Sequence, residues 1–314
     1  SFYVWNPAII PFLILAALIF LVKFYLTYAG IYIFLLGFVV SLATTIHFQS
    51  ILSLPILLVA IFSFKQSVGQ FFKNLLFLLI GISIPVVPLL YFDANHNWYN
   101  SKSLIVFLTV DQFRIWVPNR WLTYAGIYWP QTWAYIIGGS RWLSGLVIIL
   151  LSFFTFFKLK NFESHKVFYL ISITFVLEVI LYRYYRGERF IYYSFFAHPT
   201  VILLTAWTVI QIHKINIRLG ILLFLLIFTF TIKQNLLTLN GQQIKLAKIQ
   251  SIKNEIYSKY PSQTFNIYGC SFNGTRISHP LSLTIYNDNR NDVNGLKIGV
   301  CETQDNSISW AQLS

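Results

Sequence analysis

The sequence predicts an α-helical polytopic membrane protein, with about eight transmembrane helices and a small α/β domain at its C-terminal end. Three observations predict it. Of the 314 residues, 56% are hydrophobic and only 11% are charged, against about one charged residue in four in soluble domains. The apolar residues gather in eight long runs. Beyond residue 234 the runs stop, and helix-like and strand-like patterns alternate instead.

The runs cover roughly 8–22, 30–46, 50–64, 74–92, 141–157, 166–182, 195–213 and 217–233, most of them close to the length that crosses a bilayer. The second and third are separated only by His47-Phe48-Gln49-Ser50. Pro55, Pro85, Pro88 and Pro199 fall within or at the ends of runs, where neighbouring helices can satisfy the freed backbone groups. Aromatic residues reach 18%, and belts of Trp and Tyr mark membrane interfaces. The net charge of +13 is scattered between apolar runs rather than gathered on one polar face, which argues against nucleic acid. The expected surroundings are a lipid bilayer.

Short loops set the expected orientation. One alternate set carries Lys23, Lys65, Lys73, Lys158, Lys160, Lys166, Lys214 and Arg218. By the positive-inside rule this set is cytoplasmic, and both ends of the chain are external. The chain opens on Ser1 without a Met and soon enters an apolar run, as the C-terminal part of a longer protein would.

The expected division is a transmembrane domain over 1–234 and a small external α/β domain over 235–314. In the latter, Ile244, Ile249, Ile252 and Ile256 recur at helical spacing and Pro261 stops the helix. Strands are expected at Phe265–Cys270 and Leu296–Cys301, with a short helix near 279–287 between them. Cys270 and Cys301, the two cysteines, each end a strand. A disulfide in an oxidising compartment and two buried thiols are both open.

The polar residues of the helical region fall mostly on the external side. They include Trp5-Asn6-Pro7, His47, Gln49, the cluster Asp93-Ala94-Asn95-His96-Asn97-Trp98-Tyr99-Asn100, Arg114 and Arg120. Asn6 marks either an interface anchor with a helix start or a ligand contact. His47 is either a turn residue or part of a site. Asp93, His96 and Asn97 offer a carboxylate, an imidazole and an amide beside aromatic rings, a set suited to sugar hydroxyls and ring faces. Arg183, Arg186 and Arg189 lie among Tyr184, Tyr185, Tyr192 and Tyr193. Their planar donor forks suit a lipid phosphate at the headgroup level, and the positive-inside rule disfavours three Arg in a short external loop. Glu178, inside a run, is expected to pair with one of these Arg residues. The aromatic segment 101–140 is too polar to span and is expected to lie along the interface.

Four motifs in order carry a family resemblance: Trp5-Asn6-Pro7, Ile46-His47-Phe48-Gln49, Phe92-Asp93-Ala94-Asn95-His96-Asn97-Trp98, and Tyr192-Tyr193-Ser194-Phe195-Phe196-Ala197-His198-Pro199. Over about residues 1–215 the chain resembles bacterial membrane glycosyltransferases of the GT-C superfamily, in the group similar to dolichyl-phosphate-mannose protein mannosyltransferases. The resemblance implies inverting transfer of a sugar from a polyprenyl-phosphate carrier to a cell-envelope acceptor (lipid, glycan or protein) at the outer face of the bacterial cytoplasmic membrane. In that chemistry a carboxylate deprotonates the acceptor hydroxyl and basic residues stabilise the departing phosphate. The family's catalytic acidic residue lies in the first external loop, so the resemblance places it upstream of Ser1, with about four or five further spans. No catalytic residue is assigned here. No cofactor is assigned either, and a divalent metal is left open. The alternatives are a transporter or flippase of a lipid-linked or anionic substrate, and an O-antigen ligase or polymerase.

Overall fold

All eight apolar runs are helical wherever the chain is described. The computed structural model describes residues 6–62, 66–110, 120–158, 165–184, 191–269, 281–282, 284–286, 288–302 and 308–313. The chain divides into two units, 3–233 and 234–314 apart from the first two residues, which are taken in turn.

The first unit is built from α1 (Ile10–Thr27), α2 (Gly30–Ile46), α3 (Pro55–Phe62), α4 (Val68–Asn95), α5 (Tyr99–Thr109), α6 (Arg120–Thr123), α7 (Trp129–Ile137), α8 (Arg141–Lys158), α9 (Lys166–Tyr184), α10 (His198–Ile215) and the first part of α11 (Ile217–Lys259). Five helices are long and apolar enough to cross a membrane, or up to six if a bent pair counts as one span. Eight spans were expected. The difference lies in two places. Extended backbone at His47 (φ −148°, ψ 110°) ends α2, so the second and third runs form helices of Gly30–Ile46 and Phe48–Phe62 that are individually short. At 1.5 Å per residue, 17 residues reach only about 25 Å of a roughly 30 Å hydrocarbon core. The fifth run belongs to a pair, Trp121–Ile137 and Arg141–Phe157, bent by 101°. Part of the aromatic segment expected to be too polar to span is therefore one arm of an apolar helical pair. Gly138 makes the bend: it closes α7 at φ 65°, a conformation that costs glycine little. It also leaves room for α11, because a Cβ there would strike Thr231 Cα.

Helices α2 and α4 make the closest backbone approach. A Cβ on Gly37 would lie 2.7 Å from the Leu78 carbonyl oxygen, one on Gly30 would meet the Phe77 ring, and one on Gly81 would drive into the Phe34 carbonyl. Small residues let helix backbones touch where lipid tails give no hydrophobic driving force between helices. Ser41 Oγ adds a hydrogen bond across the contact, donating to the Ile82 carbonyl at 2.9 Å. These pairs advance together along both helices, so α2 and α4 run parallel, with α3 returning the chain between them.

In the second unit the later part of α11 lays Ile249, Ile252 and Ile256 on Phe265, Leu281, Ile285, Ile298 and Val300, the face expected from the isoleucine spacing. Strand β1 (Phe265–Gly269) pairs in parallel with β2 (Leu296–Glu302), and residues 281–282 and 284–286 are helical. A third strand, β3 (Ile308–Gln312), pairs antiparallel with β2. It was not expected, because Ser307-Ile308-Ser309-Trp310 is too short an alternation to stand out. Arg290 closes the α11 end: it donates to the carbonyls of Tyr260 at 2.8 Å and Gln263 at 2.7 Å, with its guanidinium 4.1 Å over the Tyr257 ring. Lys253 and Tyr257 both reach Asp288 Oδ2, at 3.0 and 2.9 Å. The Lys253 hydrogen bond, then that of Tyr257, holds the Asp288 carboxyl below its ordinary range. Cys301 is disulfide-bonded; Cys270 lies outside the described residues.

Candidate functional site

The helix directions sort the polar residues of the first unit to one end. Since α1 and α2 form a hairpin and α2 and α4 are parallel, the start of α1, the end of α2 and the end of α4 share an end. The start of α9 lines a groove with Tyr25 and Leu26 from the end of α1, so the end of α9 and the start of α10 join the first group. Asn6, His47, the Asp93–Asn100 cluster and Arg183 therefore gather at one end. Lys23, Lys73, Lys166, Lys214 and Arg218 gather at the other.

Three of the four motifs meet at the polar end. The 3-10 segment Ile191–Ala197 packs against the 3-10 turns Asn6–Ile9 and Phe48–Ser53 and against α1. Asn6 opens one of these turns; its side chain, like that of Arg120, lies outside the described residues. The His47 ring sits 5.8 Å from the Tyr193 ring. Its Nε2 is buried without a hydrogen-bond partner, and burial pushes the imidazole below its ordinary pKa, so the neutral form prevails at pH 7. A neutral imidazole nitrogen without a protein partner can accept from, or donate to, a ligand hydroxyl.

Beside these motifs lies an aromatic wall. A π-turn, Tyr124–Tyr128, joins α6 to α7, with the Trp129 N–H bonded to the Tyr124 carbonyl. Pro130 lacks an N–H, and such a residue next to the turn favours a break in the α-pattern. The inserted residue places Tyr124, Tyr128 and Trp129 on one face, where all three rings meet Tyr182. Tyr124 donates to the Val179 carbonyl at 2.6 Å, and Tyr128 to the Tyr182 hydroxyl at 2.7 Å. Arg183 follows directly, its guanidinium 4.4 Å over the Trp121 ring.

Among the described residues Glu178 pairs with no arginine, although a pairing with Arg183, Arg186 or Arg189 was expected. Its side chain is 0% exposed, and neither carboxylate oxygen has a hydrogen-bond partner among the described residues. Arg183 faces Trp121 instead, because positions 178 and 183 lie on opposite sides of α9. Arg186 and Arg189 lie outside the described residues.

The Asp93 cluster has a structural core. Asp93 is 2% exposed. Its Oδ1 accepts the Asn100 N–H at 2.8 Å, and its Oδ2 accepts the Ser101 N–H at 2.9 Å and the Ser101 hydroxyl at 2.5 Å. These are the second and third residues of α5. The residue before α5, Trp98, is left-handed and gives no side-chain cap, so Asp93 caps the helix from the end of α4. Asn97 and Trp98 both hold positive φ, 56° and 57°; for Trp98 this costs about 1–2 kcal/mol. The turn exposes His96, whose ring stacks on Phe92 at 3.9 Å. Its Nδ1 lies 2.7 Å from the Phe92 carbonyl, so Nδ1 donates to that carbonyl and Nε2 is the nitrogen left to meet a ligand. His96, Asn97, Tyr99, Lys102 and Ser103 line an open recess of about 520 Å³. Asp93 is thus spent on the fold, and His96 and Asn97 are what the cluster offers a ligand. Asp93→Asn should keep one accepting oxygen and most of the cap. Asp93→Ala should destabilise α5 by about 1–2 kcal/mol, read as faster hydrogen exchange at Asn100 and Ser101.

Sequence reasoning missed the π-turn and the joint role of Tyr128, Trp129 and Tyr182; the signal was the Trp129-Pro130 pair within an aromatic run. Compared with protein-family models, with curated proteins and with solved structures, the chain gives no match.

Proposed function

We propose that the chain is part of a membrane-embedded glycosyltransferase that moves a sugar from a polyprenyl-phosphate carrier to a cell-envelope acceptor. The observation that supports it is the gathering of Asn6, His47, Tyr193, Arg183 and the His96 recess at one end of a bundle of apolar helices. The opposite end holds the scattered lysines, so by the positive-inside rule the polar end faces outward. In this reading Arg183 takes the lipid phosphate, and His47, His96 and Asn97 take sugar or acceptor hydroxyls. Asp93 and Glu178 are the only described carboxylates of the helical unit. One is spent on a helix cap and the other is sealed, so the base comes from neither.

One observation favours a second reading. A buried carboxylate inside an apolar helix with no hydrogen-bond partner among the described residues, as at Glu178, is a feature of transport pathways. Proteoliposomes separate the two. With a polyprenyl phosphate carrying a radiolabelled sugar, drawn from a panel of monosaccharides, a transferase releases free polyprenyl phosphate and labels an acceptor. A transporter moves the intact lipid-linked sugar between leaflets with no bond cleaved.

A further inference from the structure

At the basic end, a groove of about 440 Å³ is lined by Gly30, Ile31 and Phe34 of α2 and by Lys73, Phe77 and Ile80 of α4. No residue of the proposed site lines it. Glycine shapes it: Gly30 has no side chain and faces the Phe77 ring, and at Gly81 the two helix backbones touch beside Phe34. Backbone contact sets the helix spacing, so the groove is a fixed feature of the pair rather than a gap between movable side chains. Ile31 and Ile80 stand exposed on its flanks. Lys73 is the only polar side chain among the described residues that line it. It is exposed, and it makes no hydrogen bond, ion pair or ring contact among the described residues. It sits in the second turn of α4, one turn before Phe77 and about 10 Å along the helix from Ile80.

We propose that this groove holds an anionic glycerophospholipid of the surrounding bilayer, with an acyl chain along Phe34, Phe77 and Ile80 and the phosphate at Lys73. The occupant follows from charge and shape. Lys73 can extend its ammonium toward the start of α4, to the headgroup level, while its stem stays on the apolar surface. An apolar groove with one cation at its headgroup end matches a chain joined to a phosphate. A zwitterionic lipid would bring a second cation beside Lys73, and the chain that builds the groove has no acidic group to receive it. Residues 1–92 contain no Asp or Glu, and residues 63–65, which lead toward α4, are Ser63, Phe64 and Lys65. The carboxylate of α4, Asp93, lies about 30 Å further along the helix. A polar solute would leave the apolar floor against water. The inference rests on the membrane reading of the helices and is independent of the transferase reading.

The test uses the purified chain in a neutral detergent, with phosphatidylglycerol or phosphatidylcholine added and bound lipid counted by native mass spectrometry. Phosphatidylglycerol should bind in preference. Lys73→Gln should weaken it roughly fivefold, the contribution of one lysine near an anionic headgroup, and leave phosphatidylcholine unchanged. Lys214→Gln removes the same charge from the same end, outside the groove, and should change neither. Ile80→Trp fills the groove from an exposed flank and should weaken both lipids; each variant is first shown to melt like the native protein. Equal binding of the two lipids by the native chain, equal losses in Lys73→Gln and Lys214→Gln, or undiminished phosphatidylglycerol binding by Ile80→Trp would overturn the groove while leaving the membrane reading intact. Release of the protein from membranes by alkaline carbonate would overturn both.

Discussion

Gly81→Ala should destabilise the helical unit by about 3 kcal/mol, near the upper end of overpacking effects. The added methyl group would drive into the Phe34 carbonyl and lie 3.0 Å from Phe38 N. Both are backbone atoms held in helix α2, so no side chain can swing away to make room. The helices must separate, and separation also stretches the Ser41 hydroxyl bond to Ile82 and opens the contact at Gly37. For a unit of this size the loss corresponds to roughly 6–12 °C in Tm, read by thermal unfolding in detergent. Gly69→Ala is the control in the same helix. A Cβ there meets nothing within 4 Å, and the substitution should be neutral or stabilising by about 0.4–1 kcal/mol. Equal melting of the two variants would mean that the α2–α4 contact is looser than described.

That contact also shows what a sequence can and cannot reveal. The apolar runs announce helices, since a bilayer or a core selects for them in the same way. The isoleucines of α11 announce the buried face on which β1 and β2 settle, and the two parallel strands follow from the alternation of patterns. The sorting of polar and lysine-bearing loops to opposite ends is legible too, because consecutive helices reverse direction. Other features depend on tertiary contact. Nothing in Gly37, Ser41 and Gly81 says which helices they join. His47 interrupts an apolar stretch, but its extended backbone, which leaves two individually short helices, is a property of the packed bundle. Asp93 resembles a ligand residue in composition. Its two hydrogen-bonded amides in α5 become visible only when the chain turns at Asn97 and Trp98. Glu178 was expected to meet arginine because the two are near in sequence, whereas helical phase puts Arg183 on the other side, against Trp121.

Arg183→Ala should lower sugar transfer by roughly ten- to a hundred-fold, the largest functional effect expected at the polar end. A guanidinium bound to phosphate contributes about 1.5–3 kcal/mol per charge-assisted hydrogen bond. If that bond strengthens as the lipid phosphate departs, its loss appears in the rate at about tenfold per 1.4 kcal/mol. The position of Arg183 suits the role. It lies at the end of α9, and its guanidinium carbon sits 4.4 Å from the centre of the Trp121 ring. Arg183→Lys keeps the charge but loses both the fork and the stacking surface, so it should recover only part of the rate. Trp121→Leu keeps Arg183 and removes the platform, and should cost less than Arg183→Ala. Transfer is measured in proteoliposomes at saturating lipid-linked sugar, after each variant is shown to melt like the native protein. Near-native transfer by Arg183→Ala would reduce the residue to a membrane-interface anchor held by Trp121. A loss in Arg183→Ala that Arg183→Lys restores in full would show that charge suffices and that the fork makes no contribution.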